Sequence, residues 1–209
     1  MAYNSREKTV IDRGKKYYSS GEYKAAEQEF LRALQINAGS TEALFELGKL
    51  HYVSGQPLKS VKKLEQVIQK DSGYTHAYML LGKACIDLKE YENAVRTWRI
   101  IFGRASISDE FKDYYFDYGE SALMAEYYSE AINAFKWYLV FYPRSTKARY
   151  QLGMAYFRKG DYSMAVKVLE GVKNFAPARY IQAFAYRYLG RFRKSLECME
   201  KAEELALKY

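Results

Sequence analysis

Apolar residues recur along the chain in pairs of stripes, and a short polar break separates the two stripes of each pair. Three of the breaks are Ser20-Gly21-Glu22, Ser54-Gly55-Gln56 and Lys159-Gly160-Asp161. An apolar residue at every third or fourth position is typical of an amphipathic helix, and glycine in a polar break is typical of a turn. The pattern therefore predicts a succession of helical hairpins.

Three chemically different series of residues repeat at one spacing, with steps of 34, 34, 37, 34 and 30 residues. A small residue on the first helix and another on the second would let the two helices approach closely, and a large apolar residue one turn later would fill the remaining gap. Neighbouring hairpins would then bury apolar surface that no single hairpin can bury. The three series are Gly14, Gly48, Gly82, Gly119, Gly153, Ala183; Ala26, Ser60, Ala94, Ala131, Ala165, Ser195; and Phe30, Leu64, Trp98, Phe135, Leu169, Met199.

These periods resemble the tetratricopeptide repeat, which combines a Leu-Gly-x-x-Tyr motif in its first helix with Ala-x-x-x-Phe in its second and a closing proline. The fifth period matches best, with Leu152-Gly153, Tyr156, Ala165 and Pro177 at the expected places. The resemblance implies an all-α fold, a right-handed α-solenoid of six helix-turn-helix repeats that forms one domain over residues 1–209. The repeats would span approximately 7–40, 41–74, 75–108, 112–145, 146–175 and 176–209, with irregular junctions at the three extra residues near 106–110 and the four missing residues near 175–178.

The resemblance also implies a concave groove that is lined by the first helices and binds a peptide or helix of a partner protein. Aromatic stripes at helical spacing also form cores, so burial of some of these side chains is the alternative. The groove residues implied by the family register are Lys15, Lys49 and Lys83, and the apolar Phe45, Tyr52, Met79, Phe116, Met124, Tyr150, Met154, Phe157, Tyr180 and Phe184.

The three lysines would lie in a row, which favours an acidic partner, although a solvated helix face is the simpler interpretation. Some members of the family bind C-terminal carboxylates through lysines and asparagines of successive repeats. Here the positions expected to carry asparagine hold Lys15, Glu46 and Leu80. That carboxylate-binding mode is therefore not predicted.

Charge is unevenly distributed in the second half of the chain. Seven acidic residues and Lys112 alone occupy 109–130, whereas thirteen lysines and arginines oppose two acids in 131–194. Asp113, Asp117 and Glu120 follow each other at i, i+4 and i+7, so they share one helix face and join the groove candidates. Neither a histidine nor a calcium-type loop accompanies them, so we expect an acidic patch for a basic partner rather than a metal site.

The sequence carries no arrangement of residues that would support catalysis or a cofactor. Lysine follows Gly48 and Gly82, but Leu50 and Ala84 then occupy the place where a phosphate loop needs serine or threonine. The two cysteines, Cys85 and Cys198, stand far apart, and we expect packed free thiols. We therefore predict a non-catalytic scaffold or adaptor, of use in the assembly of a larger bacterial complex, without cofactor or metal.

Nucleic acid is the alternative partner, because a net charge of +8 and 22 tyrosines could form a basic surface with stacking rings. Most of these tyrosines occupy helix-packing positions of the repeat, which makes this the weaker prediction. Residues 1–8 lack the apolar run of a signal peptide, and no stretch is long enough to span a membrane. These features favour the cytoplasm, with a periplasmic or membrane-peripheral place as the alternative if an export signal was removed.

The last predicted helix, about Lys194 to Leu207, leads us to expect either self-association or a longer parent protein that supplied a covering element. The apolar residues Leu196, Met199, Ala202 and Leu205 of this helix recur at helical spacing and would have no further helix to cover them. The acidic and basic blocks offer a second route by which one copy could bind another. A frayed last helix on a stable monomer is the alternative.

Overall fold

The computed structural model describes residues 2–103 and 109–207, with side chains from Ser5 onward. Within these ranges the chain forms twelve α-helices and one short 3-10 turn at Asp109–Phe111. The part of the predicted junction near 106–110 that precedes residue 109 lies outside the described residues. The helices are α1 (Ala2–Ser19), α2 (Tyr23–Ile36), α3 (Thr41–Val53), α4 (Pro57–Lys70), α5 (Thr75–Asp87), α6 (Tyr91–Phe102), α7 (Tyr114–Met124), α8 (Tyr128–Phe141), α9 (Thr146–Lys159), α10 (Tyr162–Leu169), α11 (Ala176–Tyr188) and α12 (Phe192–Ala206).

Consecutive helices pair as hairpins, and the chain divides into two compact units. Unit 1 is Met1–Ala105 and contains α1 to α6, whereas unit 2 is Ser106–Tyr209 and contains α7 to α12. In unit 1, α2 packs on α3 and α4 on α5; in unit 2, α8 packs on α9 and α10 on α11. The predicted all-α fold of tetratricopeptide-type hairpins is confirmed, and the single domain over 1–209 stays a prediction.

The repeated glycines are the places where the two helices of a hairpin come closest. A Cβ atom added to Gly14 would lie 2.6 Å from Phe30 Cε1, and one added to Gly153 would lie 2.4 Å from Leu169 Cδ2. Phe30 and Leu169 are fully buried, as are their equivalents in the three hairpins between them. The predicted close approach is therefore confirmed, and the large residue packs against the glycine of its own hairpin as well as toward the next one.

The turn inside each hairpin needs one residue with a left-handed backbone. Gly21 and Gly160 have φ of 79° and 87°, and glycine meets this demand without a steric cost. Lys89 and Glu126 occupy the same repeat position with φ of 60° and 64°. The position thus keeps its conformation even where the chain has no glycine, because the packed helices on either side fix it.

A serine side chain caps the start of two of the first helices, α3 and α9. Ser40 accepts a hydrogen bond from the backbone N–H of Ala43 at 3.2 Å, and Ser145 accepts one from Ala148 at the same distance. Such N-terminal caps satisfy a donor that the helix itself leaves unpaired. The two caps fix the residues at which α3 and α9 begin, and therefore which side chains each helix presents on a given face.

Both cysteines are free and buried, as predicted. Burial raises the pKa of the Cys85 thiol to about 11 and also raises the pKa of Cys198. We therefore expect neither thiol of the native protein to react quickly with an aromatic disulfide reagent at pH 8, because the thiolate is the reactive form. In denaturant, both thiols should react at once. Fast labelling of the native protein would contradict the burial, and a Cys85→Ser variant would show which of the two thiols had reacted.

Candidate functional site

The first helices of unit 1, α1, α3 and α5, present a face whose charges are compensated locally. Lys15 Nζ lies 2.5 Å from Glu42 Oε1 and 3.7 Å from Glu46 Oε1. Lys49 Nζ lies 3.7 Å from the other carboxylate oxygen of Glu46 and 4.6 Å from the centre of the Tyr18 ring. The carboxylates of α3 therefore bind lysines of both α1 and α3.

Hydrogen bonding to Glu42 is the largest influence on Lys15, and it raises the pKa of that ammonium although burial acts in the opposite direction. Lys15 thus stays charged and paired throughout the neutral range. Lys83, the third lysine of the predicted row, is half-buried. Lys15 and Lys49 are thus engaged inside the face, which weakens the attraction that the row could exert on an acidic partner.

The apolar residues predicted for this face are partly used in packing. Phe45 is half-buried and lies 5.0 Å from the Tyr74 ring, measured between centroids. Tyr52 is half-buried, whereas Met79 is buried. Met79 therefore offers little surface to a partner.

In unit 2, the first helices α7, α9 and α11 present the corresponding face. Phe116 of α7 is buried against Phe135 and Tyr138, and Lys147 Nζ covers its ring at 4.2 Å. Lys147 also lies 3.5 Å from Glu120 Oε1, to which Gln151 Nε2 donates a hydrogen bond at 3.1 Å. Polar side chains of α9 therefore cover the part of the face that α7 contributes.

The three acidic candidates of α7 and the residues before it do not converge on one point. The exposed Asp113 accepts a hydrogen bond from the Tyr142 hydroxyl, which raises the pKa of Tyr142 to about 12. Asp117 and Glu120 are half-buried, and Glu120 is bound by Lys147 and Gln151. In the described ranges, no group of three or more histidine, cysteine, aspartate or glutamate side chains could hold a metal ion.

An accessible apolar surface lies on α9 and α11, two helices in direct contact. We define the α9–α11 patch as Tyr150, Met154 and Phe157 of α9 with Tyr180 and Phe184 of α11. Phe184 is 41% exposed, and the other four are half-buried. Met124, at the end of α7, is also exposed.

Two aromatic residues at the margin of the patch were missed from the sequence. Tyr150 packs edge-on against Phe175 at 5.0 Å, and Phe157 lies 6.0 Å from Tyr188, which stacks on Tyr162 at 4.5 Å. Phe175 precedes α11 and Tyr188 ends it, so both fall outside the repeat positions from which the groove was predicted. Both side chains are exposed. A single sequence does not reveal this exposure, which identifies them as part of the accessible surface.

The two faces differ most at the position directly after the small residue of the first helix. That position holds Lys15, Lys49 and Lys83 in unit 1, whereas in unit 2 it holds Glu120 on α7, Met154 on α9 and Phe184 on α11. The position is therefore charged throughout unit 1, whereas α9 and α11 offer apolar side chains there. Stacked helical hairpins of this kind define the class of helical-repeat proteins.

Comparison with protein families agrees with this class. Two family models described as tetratricopeptide repeat match residues 111–179 and 176–209. A model described as "Anaphase-promoting complex, cyclosome, subunit 3" matches residues 19–99. Residues 111–209 therefore consist of repeats of the tetratricopeptide repeat (TPR) family. Among curated proteins, no sequence matches it.

Solved structures of TPR proteins have the same fold. MamA protein is 22% identical, with 95% of this chain and 94% of that chain covered and a TM-score of 0.68. YrrB, described as "a TPR protein with an unusual peptide-binding site", is 20% identical, with 84% and 91% covered and a TM-score of 0.72. Pseudomonas aeruginosa pilF is 13% identical over 100% of both chains, with a TM-score of 0.64.

TPR proteins generally mediate protein–protein interactions and are typically non-catalytic scaffolds. Of the helices in the described ranges, none combines the length and apolar character needed to cross a membrane.

Proposed function

We propose that this protein is a non-catalytic scaffold that binds a peptide or helix of another protein on the α9–α11 patch. The observation that carries the proposal is the exposure of the Phe184 ring next to the half-buried side chains of that patch. Covering such a ring removes apolar surface from water, which is worth about 25 cal/mol for each Å². A partner with large apolar side chains gains this free energy, whereas a purely charged partner does not.

The pairing of charges on the face of unit 1 leaves little there for a nucleic acid to bind. A phosphate backbone binds free lysines and arginines, but Lys15 and Lys49 are already paired with carboxylates of α3. The α9–α11 patch resembles instead the aromatic and methionine surfaces that receive peptide or helix anchors. The described peptide-binding site of YrrB, a protein of the same fold, is consistent with this proposal.

We propose further that such a scaffold works in the assembly of a larger bacterial complex. MamA and Pseudomonas aeruginosa pilF share its fold at low identity, and a role in assembling a larger bacterial complex is compatible with that fold.

A double substitution on the patch tests the proposal. Peptides selected from a displayed random library against the intact protein should carry large apolar residues. Phe184→Ala with Met154→Ala should raise their dissociation constants at least about tenfold, since exposed anchors of this kind dominate binding. Fluorescence anisotropy measures the change, and the melting temperature should hardly move because neither side chain is part of a buried core.

Leu58→Ala is the matched control, because Leu58 is 61% exposed on α4, a second helix of unit 1. It should leave the affinities unchanged. Equal binding by the double variant would refute the patch. Displacement of every selected peptide by a random-sequence RNA, in a salt-dependent manner, would favour the nucleic-acid alternative.

A further inference from the structure

The outer face of α12 carries apolar side chains that its own hairpin does not bury. Phe192 is 65% exposed and Leu196 is 61% exposed, and the half-buried Met199 follows at the next helical position. These residues stand at i, i+4 and i+7, so they form one stripe along the first two turns of the helix.

Equivalent positions in the two preceding hairpins of unit 2 show what this stripe is suited to contact. The repeat position of Leu196 holds Ile132 on α8 and Val166 on α10, and both are buried. In unit 2, α8 packs on α9 and α10 packs on α11. Leu196 therefore has the chemistry of a contact between hairpins, and the α12 face is suited to receive another helix.

Charge along α12 is divided between its two ends. Arg191, Arg193 and Lys194 lie at its start, whereas Glu197, Glu200, Glu203 and Glu204 lie in its later turns with Lys201. At about 100° per residue, Arg193 and Glu200 both flank Leu196 on the same side of the stripe. Arg193 Nε lies 3.4 Å from Glu197 within the helix, and Arg193 remains almost fully exposed.

We propose that the α12 face binds the α12 face of a second copy of this chain, with the two helices antiparallel about a two-fold axis. The axis would pass near Leu196, so that the two Leu196 side chains meet and each Phe192 approaches Met199 of the second copy. Arg193 would then lie beside Glu200 of the second copy, twice in each dimer. A parallel arrangement would bring the two basic ends together, which is why the charge pattern selects the antiparallel one.

A head-to-tail contact between α12 and α1 of the second copy fits less well. Where α3 packs on the preceding hairpin it uses Ala43 and Leu47, both buried. The equivalent positions of α1 hold Thr9 and Arg13, and Arg13 is bound to Glu29 through its Nε at 2.8 Å. The outer face of α1 is thus polar, and a two-fold contact through α12 is the one that buries apolar surface on both sides.

Sedimentation velocity over a wide range of protein concentrations tests the proposal on the full chain. A pair of 15-residue helices is small beside a standard interface of about 1,600 Å², so the dimer should dissociate in the micromolar range. Leu196→Glu should raise the dissociation constant at least about tenfold, since it places a charge at the centre of the contact. Leu58→Glu, at an equally exposed position of α4, should leave it unchanged, and circular dichroism confirms that both variants fold.

Charge reversal tests the orientation separately. Arg193→Glu and Glu200→Arg should each weaken the dimer, and the variant with both changes should recover most of the lost affinity. A monomer at all concentrations, or a dimer that is insensitive to Leu196→Glu, would overturn the proposal. Failure of the double reversal to restore association would overturn the antiparallel pairing, and none of these results bears on peptide binding by the α9–α11 patch.

Discussion

Replacing Phe135 with alanine is expected to lower the free energy of unfolding of unit 2 by about 3–5 kcal/mol, because the fully buried ring would leave a cavity. The ring packs against Gly119 of its own hairpin and lies 5.6 Å from the Phe116 ring. Phe30→Ala is the matched change in unit 1 and should have a similar cost. Urea titration followed by circular dichroism measures both.

Val140→Ala serves as the control for these substitutions, since Val140 lies exposed on the same helix, α8. It should change stability by less than about 0.5 kcal/mol. A cost below about 1 kcal/mol for Phe135→Ala would mean that the repeat register places the wrong residue in the core. Because the chain forms two compact units, the transitions should be analysed without assuming a single two-state step.

Adding a single methyl group at Gly153 should destabilise the protein by about 1–3 kcal/mol. The new Cβ would lie 2.4 Å from both Cγ and Cδ2 of Leu169, a distance at which the helices or the leucine must move. The last hairpin, α11 and α12, already carries such a methyl group, because Ala183 stands at the repeat position of Gly153. In the same hairpin, Met199 stands at the repeat position of Leu169. Methionine is unbranched and adapts its shape to an irregular space.

The double variant Gly153→Ala with Leu169→Met should therefore recover most of the stability that Gly153→Ala loses. A thermodynamic cycle of the two single variants and the double variant measures the coupling. Strictly additive costs would show that the close contact does not limit how near the helices approach.

The hairpins could be predicted because each depends on local periodicity and on one short-range pair, such as Gly14 with Phe30. Both the periodicity and the pair recur at a fixed spacing in the sequence, so both can be recognised without a structure. The left-handed turn at Lys89 and Glu126 was not evident from residue type, since neither is glycine, but it follows from their place in the repeat.

The candidate site was harder to predict because side chains of neighbouring helices decide its chemistry. Lys15 looks free in the sequence, yet the carboxylates that engage it belong to α3. Phe116 and Met79 hold groove positions in the register, yet both are buried, and Phe116 packs against rings of α8. The repeat register predicts which side of its helix a residue occupies. Whether the side chain is accessible depends instead on how much of it the neighbouring helices cover.

The most direct test of peptide or helix binding on the α9–α11 patch is site-specific photo-crosslinking. Benzoylphenylalanine in place of Phe184 should form a covalent adduct with a distinct partner protein, and the crosslinked peptide should map to one segment of that partner. The same probe in place of Val140, exposed on α8, should give no such adduct. Adducts at position 140 but none at position 184, or crosslinks from 184 to nucleic acid alone, would contradict the proposed function.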